Sequence, residues 1–76
     1  MKELLSFILK AITGKEIPVE EKTEGERINF VITPPEDLTG IVIGKEGRTI
    51  KAIRNLLKVR ATLEKKIFFL SVEPQK

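Results

Sequence analysis

The 76-residue sequence predicts an α+β domain in the order αββααβ, with a three-stranded sheet covered on one face by three helices. Two observations carry this. Apolar residues recur at three- and four-residue spacing in some segments and at two-residue spacing in others. Their positions add up to one helix-on-sheet core, and a chain of this length forms one domain, residues 1–76.

Leu4, Leu5, Ile8, Leu9 and Ile12 recur at helical spacing, so residues 2–13 read as an amphipathic helix that Gly14 can stop. The period then changes to two. Ile17 and Val19 alternate with Pro18 and Glu20, and Glu21 and Lys22 follow, as in a short charged strand at a sheet edge. Glu24-Gly25-Glu26 reads as a turn. Ile28, Phe30 and Ile32 alternate with Asn29, Val31 and Thr33, giving a second strand and a hairpin.

Pro34-Pro35 ends that strand, and Glu36 and Asp37 suit the first turn of a short helix over residues 35–42. A longer helix is expected from about residue 47 to 63, with Ile50, Ile53, Leu57 and Ala61 apolar and Leu56 beside them. Lys65-Lys66 connect it to a last strand, 67–72, with Phe68, Leu70 and Val72 on one face. Residues 73–76 are expected to fray. The phenylalanines, Phe7, Phe30, Phe68 and Phe69, mostly fall where a core wants them, so packing is expected ahead of base stacking.

Composition narrows the chemistry. The chain has no cysteine and no histidine, so disulfides, thiolate metal sites and nucleophile–histidine catalysis are excluded. No cofactor or metal is expected. Residues 1–43 carry five basic and eight acidic side chains, and residues 44–76 carry nine basic and three acidic, so the net +3 hides a +6 second half. An anionic partner would meet that half. The N-terminal apolar run is broken by Lys10, Glu3 precedes it, and no small-residue cleavage site follows, so it is a poor signal peptide. No stretch reaches the roughly 20 apolar residues that span a bilayer. A cytoplasmic protein with no membrane contact is expected.

The most informative stretch is GIVIGKEGRTIKAIRNLLK, residues 40–58. It is not a nucleotide loop. A P-loop requires GxxxxGK[ST], whereas Gly40 and Gly44 enclose three residues and Glu46 stands where a hydroxyl would bind magnesium. A GxGxxG fingerprint fails on the same spacing. A helix–GxxG–helix arrangement fits better. Its glycines let a sugar-phosphate backbone approach without a Cβ clash, and the positive end of the next helix faces the same anion. Lys45 and Arg48 add charge, and Arg48, Lys51, Arg54 and Lys58 recur at three, three and four residues, opposite Ile50, Ile53 and Leu57.

The stretch IVIGKEGRTIKAIR resembles the signature of the KH domain: an apolar pair, GxxG, then apolar positions at fixed helical offsets. The order αββααβ resembles the type II arrangement, and the resemblance covers nearly the whole chain. The opening MKEL and the core VIGKEGR are similar to the small bacterial KhpA-like KH proteins. This implies a type II KH fold whose GxxG loop, here Gly44, Lys45, Glu46 and Gly47, clamps about four nucleotides by their backbone. It implies phosphate contacts for Arg48 and Lys51, and an aliphatic groove at Ile41 and Ile43; Arg54, next on the basic stripe, is a further candidate RNA contact by its spacing. Glu46 departs from the basic or amide residue often found at its position. The resemblance further implies self-association or pairing with a second KH-containing protein.

Three readings follow: a non-catalytic module that binds single-stranded RNA with low sequence specificity, as RNA chaperones and post-transcriptional regulators do; a protein-interaction subunit with secondary RNA contacts; and a metal-dependent enzyme using Glu20, Glu21, Glu24 and Glu26. The last is disfavoured, because charges alternating along an edge strand are ordinarily a solvated face.

Overall fold

The computed structural model describes residues 1–75. Three helices and three strands form in the expected order. They are α1 (Lys2–Thr13), β1 (Val19–Glu24), β2 (Arg27–Ile32), α2 (Glu36–Ile43), α3 (Arg48–Glu64) and β3 (Ile67–Val72), with one 3-10 turn at Lys45–Gly47 between α2 and α3.

Punctuating residues set the boundaries. Gly14 ends α1 in a left-handed conformation, and its N–H donates to the Lys10 carbonyl at 2.8 Å. A two-residue loop, Gly25-Glu26, joins β1 to β2, since Glu24 pairs with Arg27. Gly25 supplies the positive φ that such tight hairpins demand. Pro35 caps α2, so that helix begins at Glu36. Lys65, with φ 55°, ends α3 by turning its N–H back to the Thr62 carbonyl.

The sheet runs β1-β2-β3. β1 pairs antiparallel with β2, Val19 opposite Ile32. β2 pairs parallel with β3, Arg27 beside Ile67 and Ile32 beside Val72. A parallel pair needs a long crossover, and α2, the turn and α3 supply it. This places the GKEG turn between the two helices of the crossover.

Ile28, Phe30 and Ile32 bury the inner face of β2 against Leu5 and Leu9 of α1, Leu38 and Val42 of α2, and Ile53 and Leu57 of α3. Each such side chain contributes about 1.5–3 kcal/mol of apolar burial. Phe68, Leu70 and Val72 pack partly against this core from β3. The two strands at the edges differ. Beyond Val19, β1 is exposed and charged, whereas β3 carries no charge.

Three expectations need correction. Phe30 is buried and Phe68 half-buried, but Phe7 and Phe69 are exposed, on the outer side of α1 and the open face of the sheet. There the Arg27 guanidinium lies 5.3 Å from the Phe69 ring centre. Leu56 is likewise exposed, not part of the core flank. The segment after β3 is tied down instead of frayed. The Glu73 N–H donates to the Ile32 carbonyl at 2.8 Å, and Gln75 donates to Pro34 and Thr33. Lys76, the last residue of the expected tail, lies outside the described residues.

Candidate nucleic-acid interface

α2 presents two kinds of surface. Leu38 and Val42, four apart, enter the core, while Ile41 and Ile43 stay 47% and 36% exposed on the outer side. The helix closes when the Gly44 N–H donates to the Gly40 carbonyl at 2.8 Å. Gly44 then swings to φ 77°, ψ 171°, an extended left-handed conformation that essentially only glycine adopts.

The turn itself is compact. The Gly47 N–H donates to the Gly44 carbonyl at 3.1 Å, and the Arg48 N–H returns to Lys45. Glu46 has φ 57° and Gly47 φ 75°. For Glu46 this left-handed geometry crowds its Cβ and costs roughly 1 kcal/mol. No side chain caps α3, and the 3-10 turn leads directly into its first residue.

Charge follows the geometry. Arg48, Lys51, Arg54 and Lys58 are exposed, while Ile53 and Leu57 between them are buried and Ile50 is half-buried. The four cations span about 15 Å of helix. Among the described residues the ion pairs are Lys10–Glu16 at 3.7 Å and Arg60–Glu64 at 2.8 Å. Lys45, Glu46, Arg48, Lys51, Arg54 and Lys58 take part in neither, so Lys45 and the four cations of α3 are not neutralised by an ion pair among the described residues. Of the residues singled out in the sequence, Ile41 and Ile43 lie at the end of α2, Gly44, Lys45, Glu46 and Gly47 form the turn, and Arg48, Lys51 and Arg54 lie along the start of α3.

Tertiary packing adds residues that sequence reading left out. Arg54 and Lys58 line a cleft of about 320 Å³ between α3 and β3, together with Thr62, Lys66 and Phe68. Lys66 read only as a connection, because its nearness to α3 depends on how β3 docks. Nothing local signals it. The acidic residues of β1 do not make a metal site: among the described residues no three carboxylates converge on one point. No described helix is long and apolar enough to cross a membrane.

Comparison with known proteins places this surface in context. Residues 2–72 match the family model described as KhpA/KhpB, KH domain. The chain is similar to the RNA-binding protein KhpA of Chlamydia trachomatis, 44% identical over 59 residues that cover 75% of this chain and 76% of the relative. It is 42% identical over 69 residues to the RNA-binding protein KhpA of Clostridium acetobutylicum, covering 87% and 91% of the two chains. With the RNA-binding protein KhpA of Thermotoga maritima it shares 45% identity over 60 residues, covering 75% and 79%.

Proposed function

This chain belongs to the KhpA/KhpB KH-domain family, and on that footing we propose that it is a non-catalytic, cytoplasmic protein that binds single-stranded RNA. The GKEG turn clamps a short stretch of backbone, and Ile41 and Ile43 form an aliphatic wall beside it. Arg48, Lys51 and Arg54 carry the following phosphates. The observation that supports the reading most is the glycine-built turn at the start of α3, next to cations that have no ion-pair partner among the described residues. The surface is dominated by charge and aliphatic contact, so sequence specificity is low and binding is salt-dependent. Such a module suits an RNA chaperone or post-transcriptional regulator.

The test is fluorescence anisotropy of a short labelled single-stranded RNA at two salt concentrations, with wild type beside a Lys45→Asp/Glu46→Asp variant. Wild type should bind, weaken with salt, and lose binding in the variant while circular dichroism shows both folded. Equal binding by both proteins would assign the contact to diffuse basic charge and remove the turn from the site.

A second reading, pairing with another copy or another KH-containing protein, is favoured by one observation. Leu56, Val59 and Leu63 are exposed along one flank of α3. In an antiparallel pair of α3 helices, Leu56 would face Val59 of the second copy and Ala52 would face Leu63, large against small. Sedimentation should show a mass that falls to the monomer in Leu56→Asp/Leu63→Asp. A monomer at every concentration in wild type ends the self-pairing form of this reading.

A further inference from the structure

The two edges of the sheet differ in how they are guarded. β1, at one edge, carries Glu20, Glu21, Lys22 and Glu24, and such charge keeps an edge from pairing with another chain. β3, at the other edge, has no charged residue, no proline and no bulge: Ile67 to Val72 pair one to one with Arg27 to Ile32. Its hydrogen-bonding groups alternate in direction. The Ile67 N–H donates to the Glu26 carbonyl and the Glu73 N–H to the Ile32 carbonyl, so the odd-numbered residues face β2. The N–H and C=O groups of Phe68, Leu70 and Val72 therefore point outward. Among the described residues no backbone group pairs with them on that side.

The two sides of this edge have different chemistry. On the helix side, Arg54, Lys58 and Lys66 line the cleft between α3 and β3. None of these cations takes part in an ion pair among the described residues. On the open side of the sheet, Ile67 and Phe69 are exposed. The outward groups of β3 recur at every second residue, about 6.6 Å apart, which is the repeat of another strand. A phosphate backbone only accepts hydrogen bonds, so it would leave the carbonyls of Phe68, Leu70 and Val72 without donors. The uncharged β3 of a second copy would bring no carboxylate to the cations. A strand laid along β3 sends its side chains alternately to the two sides. One set meets cations, and the other meets exposed apolar side chains.

We infer that β3 is a docking edge for an extended acidic segment of a partner protein, which adds to the sheet as a fourth strand. Its backbone pairs with Phe68, Leu70 and Val72. Its carboxylates turn toward Arg54, Lys58 and Lys66, and its intervening apolar side chains lie against Ile67 and Phe69. The main-chain hydrogen bonds hold the segment, and the alternation of acidic and apolar residues selects it. This goes beyond the RNA-binding reading and does not rest on it, although Arg54 belongs to both surfaces.

Amide hydrogen exchange followed by NMR on the whole chain tests this residue by residue. The probe is a short synthetic peptide that alternates glutamate with valine. Its controls are a peptide of the same composition with the two residue types in separate blocks, and one with lysine in place of glutamate. In the free protein the amides of Phe69 and Ser71 should be protected, while those of Phe68, Leu70 and Val72 exchange rapidly. Saturating alternating peptide should slow exchange at Phe68, Leu70 and Val72 by about tenfold or more, and neither control should. Lys58→Glu/Lys66→Glu should keep the folded spectrum and bind the peptide about tenfold more weakly. Unchanged exchange at the three amides, equal protection by a control peptide, or full affinity in the double variant overturns the inference. Protection produced by single-stranded RNA and not by the peptide gives the edge to nucleic acid, and protection that rises with protein concentration alone gives it to a second copy. Either result also overturns the inference.

Discussion

Gly44 and Thr49 meet backbone to backbone: a Cβ added to Gly44 would fall 2.7 Å from the Thr49 amide nitrogen, and closer still to its hydroxyl oxygen. The turn therefore rests directly on the first turn of α3. A side chain at Gly44 must displace backbone, which cannot rotate away as a flexible side chain can.

The glycines of the GKEG turn are accordingly unequal. Gly44→Ala combines this clash with a backbone conformation closed to alanine, for a loss of roughly 2–4 kcal/mol. Gly47→Ala meets only Ile50 at an ordinary 3.9 Å and retains a left-handed φ of 75°, so it should lose about 1 kcal/mol. Denaturant unfolding of the two variants measures the difference. Equal losses would mean that the contact with Thr49 does not shape the turn.

Strain and charge at Glu46 can be separated. Glu46→Asn keeps the left-handed φ at lower cost, so stability should rise by about 0.5–1 kcal/mol. Glu46→Gln leaves the strain in place and should leave Tm unchanged. If the turn clamps the backbone as proposed, both remove a carboxylate from beside a phosphate, so both should bind RNA severalfold more tightly at low salt. Thermal unfolding paired with anisotropy reads the two effects independently.

Cations that touch phosphate carry a salt signature. Arg48→Gln and Lys51→Gln should each flatten the slope of log affinity against log salt by about 0.7. Arg60→Gln lies on the same helix, but Arg60 is engaged with Glu64 at 2.8 Å and its neighbours on the basic stripe lie on another face. Its slope should match wild type. A slope that falls equally in all three would point to general attraction by α3.

The phenylalanines should divide by exposure. Phe30, 1% exposed, should lose about 3–5 kcal/mol on truncation to alanine. Phe7→Ala and Phe69→Ala should change stability by less than about 1 kcal/mol, Phe69 the more of the two through its contact with Arg27. Urea unfolding midpoints at constant slope decide this.

Much of the fold was legible because its signals are local. The change from helical to alternate spacing at Ile17, the paired prolines at 34–35 and the glycine turn at 44–47 each act within a few residues. The bounds of α1 and β3 came out as read, and α2 and α3 began and ended within a residue or so of expectation. Phe7, Leu56 and Phe69 were harder to place. Each lies next to core positions along the chain, and only the docking of the neighbouring elements decides which apolar side chain is covered. The tail was misread for the same reason, since its partners Ile32, Thr33 and Pro34 lie some forty positions earlier in the chain.

By itself, then, the sequence determined the order of elements, the helix–GxxG–helix turn and the spacing of its cations, because periodicity and backbone permissiveness are properties of neighbouring residues. The tertiary structure alone decided that β3 lies parallel to β2, that Lys66 joins Arg54 and Lys58 at one cleft, that Gly44 presses on Thr49, and that Gly40 stands in open space. Those are relations across the crossover, and burial and close contact exist only once the helices are seated on the sheet.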